Sequence, residues 1–230
     1  EQARSFNVEI ERCLVTKILK KDFFEIYADD KKYLSKFVIV SSGVYDNLPS
    51  IENLHKFLGV SFFTCIDCDG YRTTNKKLVI IGNHIKSVHL AIAMKEMFTK
   101  NITLVLYTEK APDEYKEELA DENIPLIVGK PVRIIGEEKI EGLELKDGRI
   151  IECDVIMSHF GYKLNDDFLA ELNLKKDRDA FKYIVNSNYE SSLSGLYIVG
   201  PLNTGNDQAI IAAGEGATAA IDIKKRLLEL

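Results

Sequence analysis

Residues 78–106 switch between two periodicities. Leu78-Val-Ile-Ile81 is a continuous apolar run that ends at Gly82, Val88, Ala91, Met94 and Phe98 then recur three and four apart, and Ile102 to Leu106 is a second apolar run. Unbroken apolar runs of this length suit strands covered on both faces, and the spacing between them suits a helix with one buried side. Strand, glycine turn, helix and strand within about 30 residues form a βαβ unit, whose parallel strands require a sheet with helices packed on it. The fold class is therefore α/β.

The flanking sequence adds antiparallel meanders. Three strands are expected at Val8 to Val15, Phe23 to Tyr27 and Phe37 to Val40, with Ala28 to Lys32 as a turn and the meander ending at Ser42-Gly43. Phe37 to Val40 is apolar throughout, which predicts a strand covered on both faces and leading into a functional loop. After a charged helix at Asp113 to Asp121, strands are expected at Leu126 to Val128, Val132 to Ile135, Gly142 to Leu145 and Arg149 to Met157. Lys146-Asp147-Gly148 makes the hairpin turn between the last two. A short helix at 165–172, a buried strand at Leu196 to Val199 and a helix from Asp207 to Leu228 complete the chain. The small residues Ala209, Ala212, Ala213, Gly214, Gly216, Ala217, Ala219 and Ala220 predict that something approaches this last helix closely.

Charge and hydropathy exclude some functions. With 30 Lys and Arg against 36 Asp and Glu, the net charge of −6 gives no electrostatic footprint for nucleic acid. No apolar run approaches the roughly 20 residues of a membrane span, and no basic segment followed by an apolar run opens the chain as a signal peptide. Four cysteines in 230 residues do not make a disulfide-stapled scaffold, so a reducing cytoplasmic setting is expected.

Two of those cysteines carry the sharpest chemical signal, Cys65-Ile-Asp-Cys68. Thiols separated by two residues can close a small disulfide ring and exchange it with another protein's thiols. The same spacing also serves as half a zinc site or occurs as a pair of buried, inert cysteines. Asp69 could donate the proton that exchange requires, or could be a turn residue before Gly70. Asp67, between the sulfurs, disfavours a thiolate and predicts a rather reducing couple, which a measured potential well above that of thioredoxin would contradict. At Gly82-Asn-His-Ile-Lys-Ser87, Gly82 and Ser87 suit a dinucleotide turn, but His84 stands where a glycine would let a pyrophosphate approach. At the end of the second strand Glu109 could bind a ribose hydroxyl and would repel the extra phosphate of NADPH, with Lys110 as nearby compensation.

These pieces together resemble the low-molecular-weight thioredoxin reductases. The resemblance rests on the Phe37 to Gly43 strand ending, the block Gly59-Val-Ser-x-x-x-Cys-x-x-Cys-Asp-Gly70, the βαβ unit, Gly195-Leu-Tyr-Ile-Val-Gly200, and Gln208-Ala-Ile-x-x-Ala-Gly-Glu-Gly216. It implies an FAD/NAD(P)-binding, Rossmann-like two-domain fold: an FAD-type domain at 1–47 and 164–230, interrupted by a pyridine-nucleotide-type domain at 48–163. It implies FAD held around Ser42, Gly43, Gly200, Asp207, Gln208 and Ala209. It also implies that electrons pass to the Cys65/Cys68 pair, with Cys68 facing the flavin, Cys65 attacking the partner and Asp69 giving the proton. The implied partner is a thioredoxin-like dithiol protein, and the implied assembly is a homodimer.

Three features depart from that family. Its N-terminal βαβ unit with G-x-G-x-x-G is not in this sequence, so the chain is expected to begin inside the FAD domain, short of at least about 30 residues. The family's Gly-Asp reads Gly200-Pro201, which removes an acceptor and a backbone donor. The NADPH signature is altered at His84 and Glu109, which puts NADPH in question and resembles branches that take electrons from another donor, such as reduced ferredoxin. A degenerate, non-catalytic binding or regulatory module is the alternative reading.

Overall fold

The computed structural model describes residues 2–108, 110–179 and 181–229. The chain divides into two compact units, a discontinuous one of Glu1–Tyr45 with Lys163–Leu230 and a continuous one of Asp46–Tyr162.

The discontinuous unit begins with an antiparallel meander of β1 (Val15–Lys20), β2 (Phe24–Ala28) and β3 (Lys31–Ser35). The first strand therefore lies one element later than expected: residues 8–14 are exposed and extended. Val15–Lys20 wins because a tight turn at Lys21-Asp22 sets it against β2 in register Ile18↔Ile26, burying Ile18. Phe37 to Val40 does not belong to the meander either. After Ser35 the chain leaves the sheet, and β4 (Val38–Val40) pairs in parallel with a strand near the C-terminus. Its Ile39 is 39% exposed, so the expectation of a strand covered on both faces fails at that residue.

Glu25 on β2 accepts hydrogen bonds from Tyr27 and Lys32 and an ion pair from Lys21. The Tyr27 hydroxyl first, then the two lysines, hold its carboxyl down to about 2 from an ordinary 4.5. A carboxyl depressed in the folded state adds stability above its unfolded pKa and loses it as the pH falls through the folded value. Acidification from about pH 4.5 to about 2 is thus expected to lower the unfolding temperature. Glu25→Gln should flatten that fall in circular-dichroism melts; an identical pH dependence in the variant would contradict the assignment.

The continuous unit is built on five parallel strands. These are β5 (Phe62–Phe63), β6 (Leu78–Gly82), β7 (Ile102–Leu106), β8 (Leu126–Val128) and, after an antiparallel meander, β12 (Val155–His159). Their spatial order is β5-β12-β6-β7-β8. A short helix α1 (Ile66–Asp69) follows β5, α2 (Ile85–Met97) joins β6 to β7, and α3 (Asp113–Asp121) precedes β8. The meander is β9 (Pro131–Ile135), β10 (Gly142–Leu145) and β11 (Ile150–Glu152). The expected strand Arg149 to Met157 is thus two strands in different sheets. The break falls at Cys153-Asp154, where the Asp154 carboxylate accepts the Lys77 N–H at 2.9 Å and turns the chain into the parallel sheet.

Alternation along these strands gives the sheet two apolar faces. Leu78, Ile80, Ile102, Leu104, Val155 and Met157 pack under Val88, Ala91 and Met94 of α2. Val79, Ile81, Val105 and Ile156 pack under Ile134, Leu143 and Leu145 of the meander. Each of these buried side chains contributes about 1.5–3 kcal/mol. β5 is pinned on both faces, by Phe62 in one cluster and Phe63 in the other.

The chain returns to the discontinuous unit through a 3₁₀ turn at Asp167–Leu172, then β13 (Leu196–Ile198), the parallel partner of β4, and the 20-residue α4 (Ala209–Leu228). The close approach expected along α4 occurs at Ala212, whose Cβ lies 3.3 Å from where a side chain on Gly200 would begin. At Gly214 and Gly216 a methyl group would meet nothing within 4 Å, so there the small residues face open space among the described residues. No helix among the described residues is long and apolar enough to cross a membrane.

Candidate disulfide site and cofactor residues

β5 delivers the cysteines. Anchored by Phe62 and Phe63, it ends at Thr64, and Cys65 follows at the C-terminal edge of the parallel sheet, where open α/β sheets place their sites. Cys65 and Cys68 form a disulfide with Cα atoms 5.4 Å apart. Cys65 sits at the start of α1, and its Sγ accepts the Cys68 N–H at 3.2 Å. Cys65 is half-buried and Cys68 exposed, so the pair is not an inert core feature. Cys153 is the contrast: it is buried, and burial pushes its thiol up to about 12. No cluster of three or more His, Cys, Asp and Glu suited to a metal occurs among the described residues.

Asp69 is the last residue of α1 and carries an ion pair. Its carboxylate is 3.3 Å from the Arg72 guanidinium, which also donates to the carbonyls of Gly59 and Val60 and stacks on Phe63. Gly70 is fixed by packing, since a Cβ there would lie 2.6 Å from the Phe98 ring. On the other side of the pair, Thr64 donates to Asp46 at 2.8 Å.

The turn between β6 and α2 is tight at one end and closed at the other. A Cβ on Gly82 would meet Ser87 Oγ at 1.9 Å and the His159 carbonyl at 2.9 Å, so the helix packs directly on the strand. His84 is the N-cap of α2, and its Nδ1 accepts the Lys86 N–H at 3.4 Å. The imidazole thereby occupies a donor that a pyrophosphate would use. These residues do not fit a dinucleotide pyrophosphate. His159 nearby has its pKa lowered by burial, then by Lys86 and His84. Glu109 lies outside the described residues.

The expected flavin residues divide. Ser42 Oγ donates to the Asn165 carbonyl at 2.7 Å, and Asn165 Nδ2 donates back to the Ser42 carbonyl at 3.2 Å. Gly43 has φ +66° and open space where a side chain would be. An apolar groove of about 450 Å³, lined by Val38, Ile39, Val40 and Phe168 among others, runs beside Ser42. Gly200, with φ +74°, gives its N–H to the buried Glu215 at 2.5 Å, and Asn203 Nδ2 adds a second donor at 2.8 Å. Gln208 is the N-cap of α4 without a side-chain cap, and the first-turn residue Ala209 is exposed. Asp207 is tied to Lys182, whose Nζ lies 2.6 and 2.8 Å from the two carboxylate oxygens. A helix start whose first-turn residue is exposed suits the acceptor edge of a flavin ring. Pro201 offers no carboxylate or N–H toward its ribityl chain.

The sequence reading missed Arg72, Lys182 and Glu215. The Asp69/Arg72 spacing of three was a readable signal for a helical ion pair; the buried positions of the other two had none.

The pyridine nucleotide-disulphide oxidoreductase model matches residues 1–216, and the chain belongs to this family. It is 26% identical over 241 residues to the thioredoxin reductase of Aquifex aeolicus (strain VF5), across 99% of this chain and 73% of that protein. A protein named NADH dehydrogenase from Ferdinandcohnia aciditolerans is 26% identical over 96% of this chain and 44% of its own length. The fold matches the crystal structure of thioredoxin reductase from Streptococcus pyogenes MGAS5005 with a TM-score of 0.88, at 21% identity, covering 100% of this chain and 78% of that one. Family and fold make the chain a thioredoxin-reductase-like oxidoreductase on a flavoprotein scaffold.

Proposed function

We propose that the chain is a disulfide oxidoreductase that passes an electron pair through Cys65 and Cys68 to a small dithiol protein of thioredoxin type. The observation that carries this reading is the Cys65–Cys68 disulfide at the open edge of the parallel sheet, with Cys68 exposed and Asp69 beside it. Ser42, Gly43, Gly200, Asp207, Gln208 and Ala209 would hold FAD in the discontinuous unit. A bound reduced flavin would supply the electron pair that opens the disulfide. Homodimer assembly and a cytoplasmic setting belong to the same reading, by likeness to thioredoxin reductases.

The protein's own steps follow from thiol chemistry. Cys65, whose sulfur accepts the Cys68 N–H in the disulfide, is taken as the nucleophile by likeness to thioredoxin reductases and attacks one sulfur of the partner disulfide. The partner's S–S bond breaks, and its leaving sulfur takes the proton that Cys65 gave up, passed by Asp69. Cys68 then attacks the Cys65 sulfur and the mixed disulfide breaks. The second partner sulfur leaves with the proton that Cys68 gave up. Two electrons and two protons reach the partner, and the Cys65–Cys68 disulfide is restored.

NADPH is not the donor in this reading, because His84 caps the helix start that its pyrophosphate would need. NADPH is expected to bind no tighter than about 1 mM. Titration followed by nicotinamide fluorescence checks this, and a dissociation constant near 10 μM in wild type would contradict it. The reading as a non-catalytic module draws on Pro201 and on the Asp207–Lys182 pair. An anaerobic spectrum in the presence of FAD separates the two. An oxidoreductase gives a protein-bound flavin band that bleaches on chemical reduction and returns when an oxidised dithiol protein is added; a module gives no bound flavin.

A further inference from the structure

We propose that Arg72 is the positioning residue of the cysteine pair, holding the Asp69 carboxylate and the Gly59–Val60 lip in one fixed arrangement. This rests on the disulfide-exchange reading above. One guanidinium makes four contacts: a 3.0 Å hydrogen bond to the Gly59 carbonyl, 3.1 Å to the Val60 carbonyl, 3.3 Å to Asp69 Oδ1, and a stack 4.4 Å from the centroid of Phe63. A planar fork of donors meets all four at once, whereas a lysine ammonium is a single point charge without the plane. Phe63 is fully packed in the core, so the plane of the guanidinium is set from below.

The groups joined in this way need joining. Asp69 directly follows Cys68. Gly59, with φ +76°, is a left-handed turn residue, and Val60 beside it is 60% exposed. Through Arg72 this lip is tied to the segment that carries Cys68, and Tyr71, 67% exposed, lies on the same turn as Arg72. Arg72 therefore sets both the position of the proton-passing carboxylate and the shape of the apolar rim. The charged groups of the cysteine segment and of the residues bonded to it are Asp67, Asp69, Arg72 and Asp46.

The test uses the reduced full-length protein and two probes, dithiobis-nitrobenzoate and an oxidised thioredoxin. Arg72→Gln is expected to slow the second-order reaction with the protein disulfide by about tenfold to a hundredfold and to change the pH profile of both reactions. Arg72→Lys should recover less than half of the loss on a logarithmic scale. Asp69→Asn combined with Arg72→Gln should cost clearly less than the sum of the two single losses, because both remove the Arg72–Asp69 contact. Unchanged rates and pH profile in Arg72→Gln, full rescue by lysine, or additive losses in the double variant each overturn the proposal. If Arg72→Gln does not fold, Arg72→Lys against Asp69→Asn carries the same comparison. A wild-type protein inert to both probes instead sinks the exchange reading itself.

Discussion

Replacing Cys65 or Cys68 with serine is expected to lower turnover of a protein disulfide by at least about a thousandfold. A serine hydroxyl at position 65 does not ionise in the working range and cannot form the mixed disulfide. A serine at 68 leaves Cys65 able to attack but unable to be released, so the reaction stops after one bond exchange. Folding should be nearly untouched, since the ring spans a sequence separation of 3 and constrains little chain entropy. The pairing of lost turnover with an unchanged melting temperature separates a chemical role from a structural one. Turnover above about a tenth of wild type in either variant contradicts the assignment.

Gly82→Ala should be the most costly single methyl group at the turn between β6 and α2. The new Cβ would lie 1.9 Å from Ser87 Oγ, 2.6 Å from Ser87 Cβ and 2.9 Å from the His159 carbonyl. The first two belong to a side chain that can be trimmed. The third is backbone of β12, paired with β6 in register His159↔Gly82, and cannot retreat without breaking that pairing. Overpacking of this kind costs about 2–3 kcal/mol, or roughly 5–10 °C in the melting of a unit of this size. Ser87→Gly in the same chain should return part of the loss and the carbonyl contact should retain the rest. A Gly82→Ala melting temperature equal to wild type would mean that α2 sits further from the strand than the structure has it.

The legibility of this fold in its sequence follows how local each signal is. β6, α2 and β7 were readable because their periods are strong and each element is buried where the pattern says, Ile80 and Met94 alike. The first strand was misplaced because Val8, Ile10 and Leu14 look like a strand but are exposed and lie outside the ladder; partner availability is not written in a local pattern. The single run Arg149 to Met157 hid a sheet change that only the Asp154–Lys77 contact explains. At the site, the Cys65/Cys68 spacing marked the pair but left its role open, and the roles given to Cys65, Cys68 and Asp69 came from the family resemblance. His84 was read as standing where a glycine would let a pyrophosphate approach, and the structure makes it the N-cap of its own helix. Asp207 was read among the flavin-binding residues from the resemblance; its ion pair with Lys182, 25 positions earlier, is a contact that no spacing rule connects.

The most direct test of the central claim is to trap the exchange intermediate. Reduced Cys68→Ser protein is mixed with an oxidised thioredoxin, quenched by alkylation, and the conjugate mapped by peptide mass spectrometry. A mixed disulfide through Cys65, absent in Cys65→Ser, is the predicted result. No conjugate in either variant, or one formed through Cys13 or Cys153, would contradict the assignment of Cys65 and Cys68 as the pair that carries electrons out of this protein.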